Sequence, residues 1–402
     1  MAPVRLLTFS TLYPNQARPN HGVFVENRLR HLLASGEATS TVIAPVPYFP
    51  SRDPRFGDWA RHAAALAAET RNGISVLHPR FLVIPKIGMS MAPYLLYWAM
   101  VPVVRRMLAA GQKFDAIDAH YVYPDGVAAV WLGRRFNLPV VVTARGTDVS
   151  LIPQFKIPRW LIRGIIANAA AMITVSAALK DVLLALGASD EKVTVLRNGV
   201  DTVLFHPPAD RDKVRRGLGL TRKTLISVGL LIERKGHDRT IEAMAQLPDF
   251  DLLIAGEGPE RDRLNALIRR LGLGDRVRLL GARPHAELPS LYGAADASVL
   301  SSSREGWANV LLESMACGTP VVASNIWGNP EVVRTRAAGV ITGENTPNGI
   351  AAGVRALFDP LPDRAATRVF AEPFSWDETT AGQLVLFRRV IDASGGRVHP
   401  DP

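Results

Sequence analysis

The chain has 402 residues, 48% of them hydrophobic and 21% charged, with a formal net charge of +10. That length suits two domains, each with its own core, and the absence of low-complexity tracts excludes bulk disorder. The single cysteine, Cys317, excludes an intrachain disulfide and a cysteine metal cluster, and it fits a reducing compartment.

The charge is uneven. Residues 1–205 hold 22 Lys+Arg against 13 Asp+Glu, an excess of +9, and the rest hold 25 against 24, an excess of +1. A basic half points either to an anionic partner, such as a membrane surface, a lipid phosphate or nucleic acid, or to ordinary Arg-rich solvated surface. Nucleic acid is disfavoured, because the chain shows no interleaved basic–aromatic motif, zinc finger or helix-turn-helix signature.

In chain order, the apolar run at the N-terminus, Met1 to Leu7, is too short for a secretory signal. Arg5–Ser10 reads as a first strand. The loop Thr11 to Gly22 follows, placed where the backbone of a Rossmann unit approaches phosphate. Gly22 permits that approach, or is simply a turn residue, since G-x-G-x-x-G is absent. Val25, Leu29, Leu32 and Leu33 then recur at helical spacing, with Glu26, Arg28 and Arg30 expected to face away.

Further strands are expected at Thr41–Pro45, Ser75–His78, Ala116–His120, Val140–Thr143, Met172–Val175 and Val193–Leu196. Between them, the apolar stretch from Gly88 to Val104 is broken by Pro93 and Pro102 and predicts a buried or interfacial helix, not a membrane span. His120 ends a strand and opens His120-Tyr121-Val122-Tyr123-Pro124-Asp125-Gly126. Arg145-Gly146-Thr147-Asp148 ends the next, so Asp125, Arg145 and Asp148 are candidates for the acceptor side of a cleft.

Near His206-Pro207-Pro208 the strand pattern gives way to a polar stretch, and a second series begins: Thr224–Gly229, Leu252–Gly256, Val277–Gly281, Ala297–Leu300, Val321–Ser324 and Gly339–Thr342. Continuous apolar strands alternating with helices predict parallel sheets covered on both faces. The expected fold is therefore α/β, with two Rossmann-like domains, residues 1–205 and 206–374, whose strand ends face each other across one cleft.

In the second domain, Gly229 ends a strand and Arg234 and Lys235 follow, suited to neutralise a diphosphate leaving group or else simply solvated loop charges. The turns at Gly256 and at Gly281-Ala282-Arg283-Pro284 either flank a nucleobase or serve as connections. Asp249-Phe250-Asp251 has the Asp-x-Asp form of a metal site, but it precedes a strand and so lies at the wrong edge. Glu305 and Glu313 are eight residues apart in Glu305-Gly306-Trp307-Ala308-Asn309-Val310-Leu311-Leu312-Glu313. On one helix they would lie ~12 Å apart and ~80° around the axis. That reads either as a clamp for a nucleotide sugar at a helix N-terminus or as a polar loop leading into a core helix.

These motifs resemble glycosyltransferase family 4, retaining enzymes of the GT-B fold that use nucleotide sugars. The resemblance covers nearly the whole chain. It is carried by the E-x7-E element and its continuation Ala316-Cys317-Gly318-Thr319-Pro320. Asn198-Gly199-Val200-Asp201, Lys235-Gly236, Gly256-Glu257-Gly258 and Pro330-Glu331-Val332-Val333 follow in family order. His21-Gly22-Val23-Phe24-Val25-Glu26 and the His120 element are similar to members that build bacterial surface polysaccharides, the teichuronic acid type among them.

The resemblance implies that Glu305 holds donor-sugar hydroxyls, Glu313 the ribose, and Lys235 with Arg234 the diphosphate. It implies that Gly22 lets its loop reach that diphosphate and that His120 sits near the transferred sugar. Backbone groups of Gly306, Trp307, Ala308, Asn309 and Val310 would complete the pocket, with Gly229, Gly256 and Arg283 on the donor side.

It further implies no metal and no cofactor beyond the nucleotide sugar, a glycan or lipid-linked acceptor, and a cytoplasmic location, peripheral on the inner membrane. A C-terminal helix, 375–402, would cross back onto the first domain. Departures from the family pattern are Leu230 and Arg145, where many members have Arg and His, and Asn325 and Trp327 in place of Asp and Gly. Rival readings are a nucleotide-sugar epimerase of the same architecture and a non-catalytic nucleotide-sugar-binding protein.

Overall fold

The computed structural model describes residues 2–84 and 88–395. Its chain divides into two compact units, which part at Arg197/Asn198 and again at Trp376/Asp377. The first unit takes the residues up to 197 and those from 377 on.

The strands of the first unit are β1 (Val4–Phe9), β2 (Ala38–Ile43), β3 (Val46–Pro47), β4 (Ala68–Arg71), β5 (Ile74–Leu77), β6 (Arg80–Phe81), β7 (Ala116–His120), β8 (Val140–Ala144), β9 (Ala171–Thr174) and β10 (Val193–Val195). Its helices are α1 (Val23–Ala34), α2 (Asp58–Ala64), α3 (Gly88–Ala109), α4 (Val127–Phe136), α5 (Thr147–Ser150), α6 (Lys156–Asn168) and α7 (Ala177–Ala185).

The main sheet runs β10-β9-β8-β7-β1-β2-β5-β4, parallel except for the edge pair β4–β5. Both β7 and β8 are buried along their whole length, as strands covered on two faces must be. Each strand expected from the sequence is present. The exposed, charged edge strand β4 and the short pair β3–β6 lack the apolar runs that would announce them.

One expectation fails on α1. Val25, Leu29 and Leu32 are buried as the periodicity requires, but Glu26 and Arg28 are buried too, at 5% and 1% exposure. Two neighbours cause this. Arg71 on the unforeseen strand β4 pairs with Glu26 at 2.9 Å. The Arg28 guanidinium donates to the Leu196 carbonyl at 3.0 Å, and burial, then the charge of Arg145, pulls it down to about 9.

The second unit carries β11 (Lys223–Val228), β12 (Phe250–Ala255), β13 (Val277–Gly281), β14 (Ala297–Leu300), β15 (Val321–Ser324) and β16 (Gly339–Thr342), in the parallel order β13-β12-β11-β14-β15-β16. Its helices are α8 (Arg211–Gly217), α9 (His237–Ala243), α10 (Arg261–Arg270), α11 (Leu288–Ala294), α12 (Asn309–Ala316), α13 (Asn329–Val332), α14 (Pro347–Leu357) and α15 (Arg364–Ala371). Finally α16 (Trp376–Gly395) packs Leu384, Leu386, Phe387 and Val390 into the core of the first unit, beside Val25, Leu29 and Leu32.

Both units are thus Rossmann-like α/β sheets. In each, strand order reverses direction at one crevice: β1/β7 in the first, β11/β14 in the second. Ligands of open α/β sheets bind at such crevices, beyond the carboxyl ends of the strands. Among the described residues, no helix is long and apolar enough to cross a membrane.

Candidate active site

In the second unit, the loops after β11 and β14 leave paired strands side by side, and polar groups stitch them together. The Ser303 amide donates to the Arg234 carbonyl at 2.8 Å. The Ser301 hydroxyl donates to the Gly236 carbonyl at 2.7 Å, and the Arg234 guanidinium to the Arg304 carbonyl at 2.8 Å. These contacts fix where Lys235 and Glu305 point. Lys235 Nζ reaches Glu305 Oε1 at 2.6 Å, Ser302 Oγ donates to the same oxygen at 2.8 Å, and Arg234 stands 3.6 Å from Oε2.

The Glu305 side chain is only 9% exposed. Burial by itself would raise its pKa, but the charges of Lys235 and Arg234 and the two hydrogen bonds outweigh it and hold the group below the usual carboxylate range. Glu305 is therefore an ionised acceptor. Lys235 has three N–H donors, of which Glu305 takes one, so the others can serve a bound anion.

The helical spacing expected of the two glutamates does not hold. α12 begins only at Asn309, so Glu305 lies in the loop and Glu313 alone is helical. Trp307 is the reason. Its indole, 6% exposed, donates to the Asn198 carbonyl at 3.0 Å, and Asn198 Nδ2 reaches Asn309 Oδ1 at 3.2 Å. That anchoring holds Gly306, Trp307 and Ala308 as buried non-helical backbone. No side chain caps α12, so the amides of Asn309 and Val310 open a helix N-terminus of the kind that suits an anion. One turn on, Glu313 accepts from the Tyr292 hydroxyl at 3.3 Å and lies 3.5 Å from His285 Nε2, a neighbour the sequence did not reveal.

Glycine makes the adjoining turn possible. A Cβ on Gly256 would lie 1.8 Å from the Gly229 carbonyl oxygen, so these two turns touch backbone to backbone. Arg283, beyond β13, is 40% exposed and pairs with Glu287 at 3.6 Å. His237 was missed by the sequence reading although it directly follows Lys235-Gly236. It is 3% exposed, with Nδ1 3.2 Å from Ser227 Oγ. Burial, then the charge of Lys235, lowers it to about 4.

In the first unit the candidates at the β1/β7 crevice face inward. His120 is 1% exposed: Nε2 lies 3.1 Å from Asp118 Oδ2, and the Arg145 guanidinium reaches Nδ1 at 2.6 Å. That arrangement assigns the proton to Nε2 and makes Nδ1 an acceptor, and burial lowers the imidazole pKa. Arg145 lies over the Phe24 ring, 5.3 Å from its centroid. Asp148 accepts amides of Val122, Arg145 and Gly146 at 2.7 to 3.1 Å. Asp125 accepts the Thr11 amide at 2.7 Å and its hydroxyl at 2.9 Å. The two aspartates thus anchor the loops after β8 and β1.

Gly22, at φ 75°, closes the second of these loops. A Cβ there would lie 2.3 Å from the Leu12 carbonyl oxygen. Beside the loop opens a mainly apolar recess of about 520 Å³, lined by Thr11, Leu12, His21, His62, Phe81 and Met89 among others. Among the described residues, no group of three His, Cys, Asp or Glu side chains is placed to hold a metal ion.

Comparison with known proteins agrees with the fold. The model of Glycosyl transferases group 1 matches residues 209–368 and that of Glycosyltransferase Family 4 matches residues 60–204. A D-inositol 3-phosphate glycosyltransferase of Catenulispora acidiphila is 33% identical over 72% of this chain and 76% of its own length. A glycogen synthase of Mycobacterium tuberculosis is 30% identical over 72% and 71%. Among solved structures, sucrose-phosphate synthase from Thermosynechococcus elongatus superposes with a TM-score of 0.80 at 22% identity, covering 97% of this chain and all of that one. Anabaena HepE in complex with UDP-glucose gives 0.70 at 19% identity, covering 98% of this chain and 99% of that one. With its two Rossmann-like sheets and these relatives, the chain belongs to glycosyltransferase family 4, with the GT-B fold.

Proposed function

We propose that this glycosyltransferase moves a hexose from a nucleotide diphosphate sugar to a hydroxyl acceptor with retention of anomeric configuration, in the synthesis of a bacterial surface polysaccharide, another envelope polysaccharide or a glycolipid. The observation that carries the reading is the Lys235–Glu305 pair at the β11/β14 crevice. It sets a cation for the leaving diphosphate beside an ionised acceptor for donor-sugar hydroxyls, next to an uncapped helix start. The likeness to Anabaena HepE, solved with UDP and with UDP-glucose, supports a sugar-nucleotide donor.

Lys235 and Arg234 stabilise the charge that develops on the diphosphate as the glycosidic bond breaks, so the reaction runs without a metal or other cofactor. Glu305 orients the hexose, and Glu313 binds the ribose. The acceptor hydroxyl attacks from the face the diphosphate leaves, and a diphosphate oxygen takes its proton. The acceptor binds to the first unit, where Asp125 holds the Thr11 loop that lines the recess beside Gly22, and His120, Arg145 and Asp148 order the neighbouring strand-end loops.

A thermal-shift panel of nucleotide sugars tests the donor. One at a hundred times its Kd stabilises by ~2.7 kcal/mol. Product NMR then reads the anomeric configuration, and inversion, or sugar conversion without an acceptor, would reject the mechanism.

A further inference from the structure

Three helices of the first unit, α3, α4 and α6, pack on one another and contain no aspartate or glutamate. They carry Arg105, Arg106, Arg134, Arg135, Lys156, Arg159 and Arg163, all exposed. Large apolar side chains stand in water among these cations. Trp98 is 66% exposed, Trp160 69%, Ile157 53% and, just before α6, Phe155 47%.

The aromatic groups form a connected band. Trp160 and Trp131 line one shallow recess together with Arg134 and Arg163. Trp131 lies 4.8 Å from Tyr94 and 5.8 Å from Tyr97, ring centre to ring centre, and Tyr97 lies 5.3 Å from Trp98. The band therefore runs from α6 across α4 to α3.

We infer that this face docks on an anionic lipid bilayer. Tryptophan and tyrosine favour the headgroup level, where an apolar ring and a polar edge are both satisfied. Arginine extends its charge to lipid phosphates while its stem covers apolar surface, and α6, amphipathic and basic, suits lying in the membrane plane. The absence of acidic side chains from the three helices leaves nothing on them to repel an anionic leaflet. A second copy is a poor occupant, because a two-fold contact would set cations against the same cations. Nucleic acid fits less well, since Ile157 and Met91, the latter on α3 and also exposed, offer neither a stacking face nor a phosphate contact.

The test is flotation of the full chain with phosphatidylcholine vesicles containing increasing phosphatidylglycerol. Partitioning is expected only with the anionic lipid and should weaken with salt. Arg159→Gln with Arg163→Gln should lower the partition coefficient roughly thirtyfold. Arg269→Gln with Arg270→Gln, an equal loss of charge on exposed positions of α10, should leave it unchanged. Acyl-brominated lipid should quench wild-type fluorescence more than that of Trp98→Ser with Trp160→Ser, with circular dichroism confirming that each variant folds.

Failure to partition, equal losses in both arginine pairs, or quenching unaffected by the tryptophan changes would overturn the inference. So would light scattering that shows a dimer undone by Trp98→Ser with Trp160→Ser, or charge-dependent binding to RNA but not to vesicles.

Discussion

Lys235 Nζ and Glu305 Oε1 lie 2.6 Å apart, although 70 residues separate them in the chain. Neither is more than 14% exposed. An ion pair this sheltered is sensitive to loss of one partner, because the other charge stays buried. Lys235→Ala should therefore weaken nucleotide-sugar binding and also destabilise the protein by ~1–3 kcal/mol. Titration calorimetry and chemical denaturation read the two effects. Unchanged donor affinity would remove Lys235 from the diphosphate role.

Glu305→Gln keeps the shape and removes the charge. Turnover should fall roughly a hundredfold, with the variant still folded. A double-mutant cycle with Lys235→Ala should be strongly non-additive, since each change breaks the same contact. Additive losses would show that the two residues act separately.

Gly256→Ala places a methyl 1.8 Å from the Gly229 carbonyl oxygen, so backbone has to move. A loss of more than ~2 kcal/mol is expected, together with weaker donor binding, because the displaced turn leads to Lys235. Gly274→Ala, with nothing within 4 Å of the new atom, is the neutral comparison.

Acid should weaken the second unit through His237. Its folded pKa is about 4, against about 6.5 unfolded, so between those values the unfolded chain binds the proton first. Its contribution is fully present above about pH 6.5 and is lost as pH falls towards about 4, by at most ~3 kcal/mol. The stability gap between the wild type and His237→Asn should narrow across that window. A constant gap would contradict the assignment.

Asp125→Ala frees the amide and hydroxyl of Thr11. The loop after β1 should exchange amide hydrogen faster at Thr11 and Leu12, and acceptor KM should rise with donor Kd unchanged. Protection as in the wild type would mean that Asp125 does not hold this loop.

The strands were legible because each is a short apolar run bounded by turn residues, and the edge strand β4 escaped because Ala68-Glu69-Thr70-Arg71 has no such run. Lys235, Gly256 and Glu305 were legible as residues at strand ends. The helical relation between Glu305 and Glu313 was not, because the start of α12 is set by Trp307 reaching Asn198, 109 residues away. His120 was legible as a histidine at a strand end, but its contacts were not, because Asp118 reaches it along β7 itself and Arg145 from the end of the paired strand β8.

Order along the chain thus determined two parallel α/β sheets, their strand-end loops and the family, since local apolar runs and glycine turns act over a few residues. Tertiary structure alone decided which charges meet. Glu26 and Arg28 became buried, Glu305 gained its lysine, and Asp125 and Asp148 became loop anchors, because burial and pairing depend on what a distant segment brings alongside.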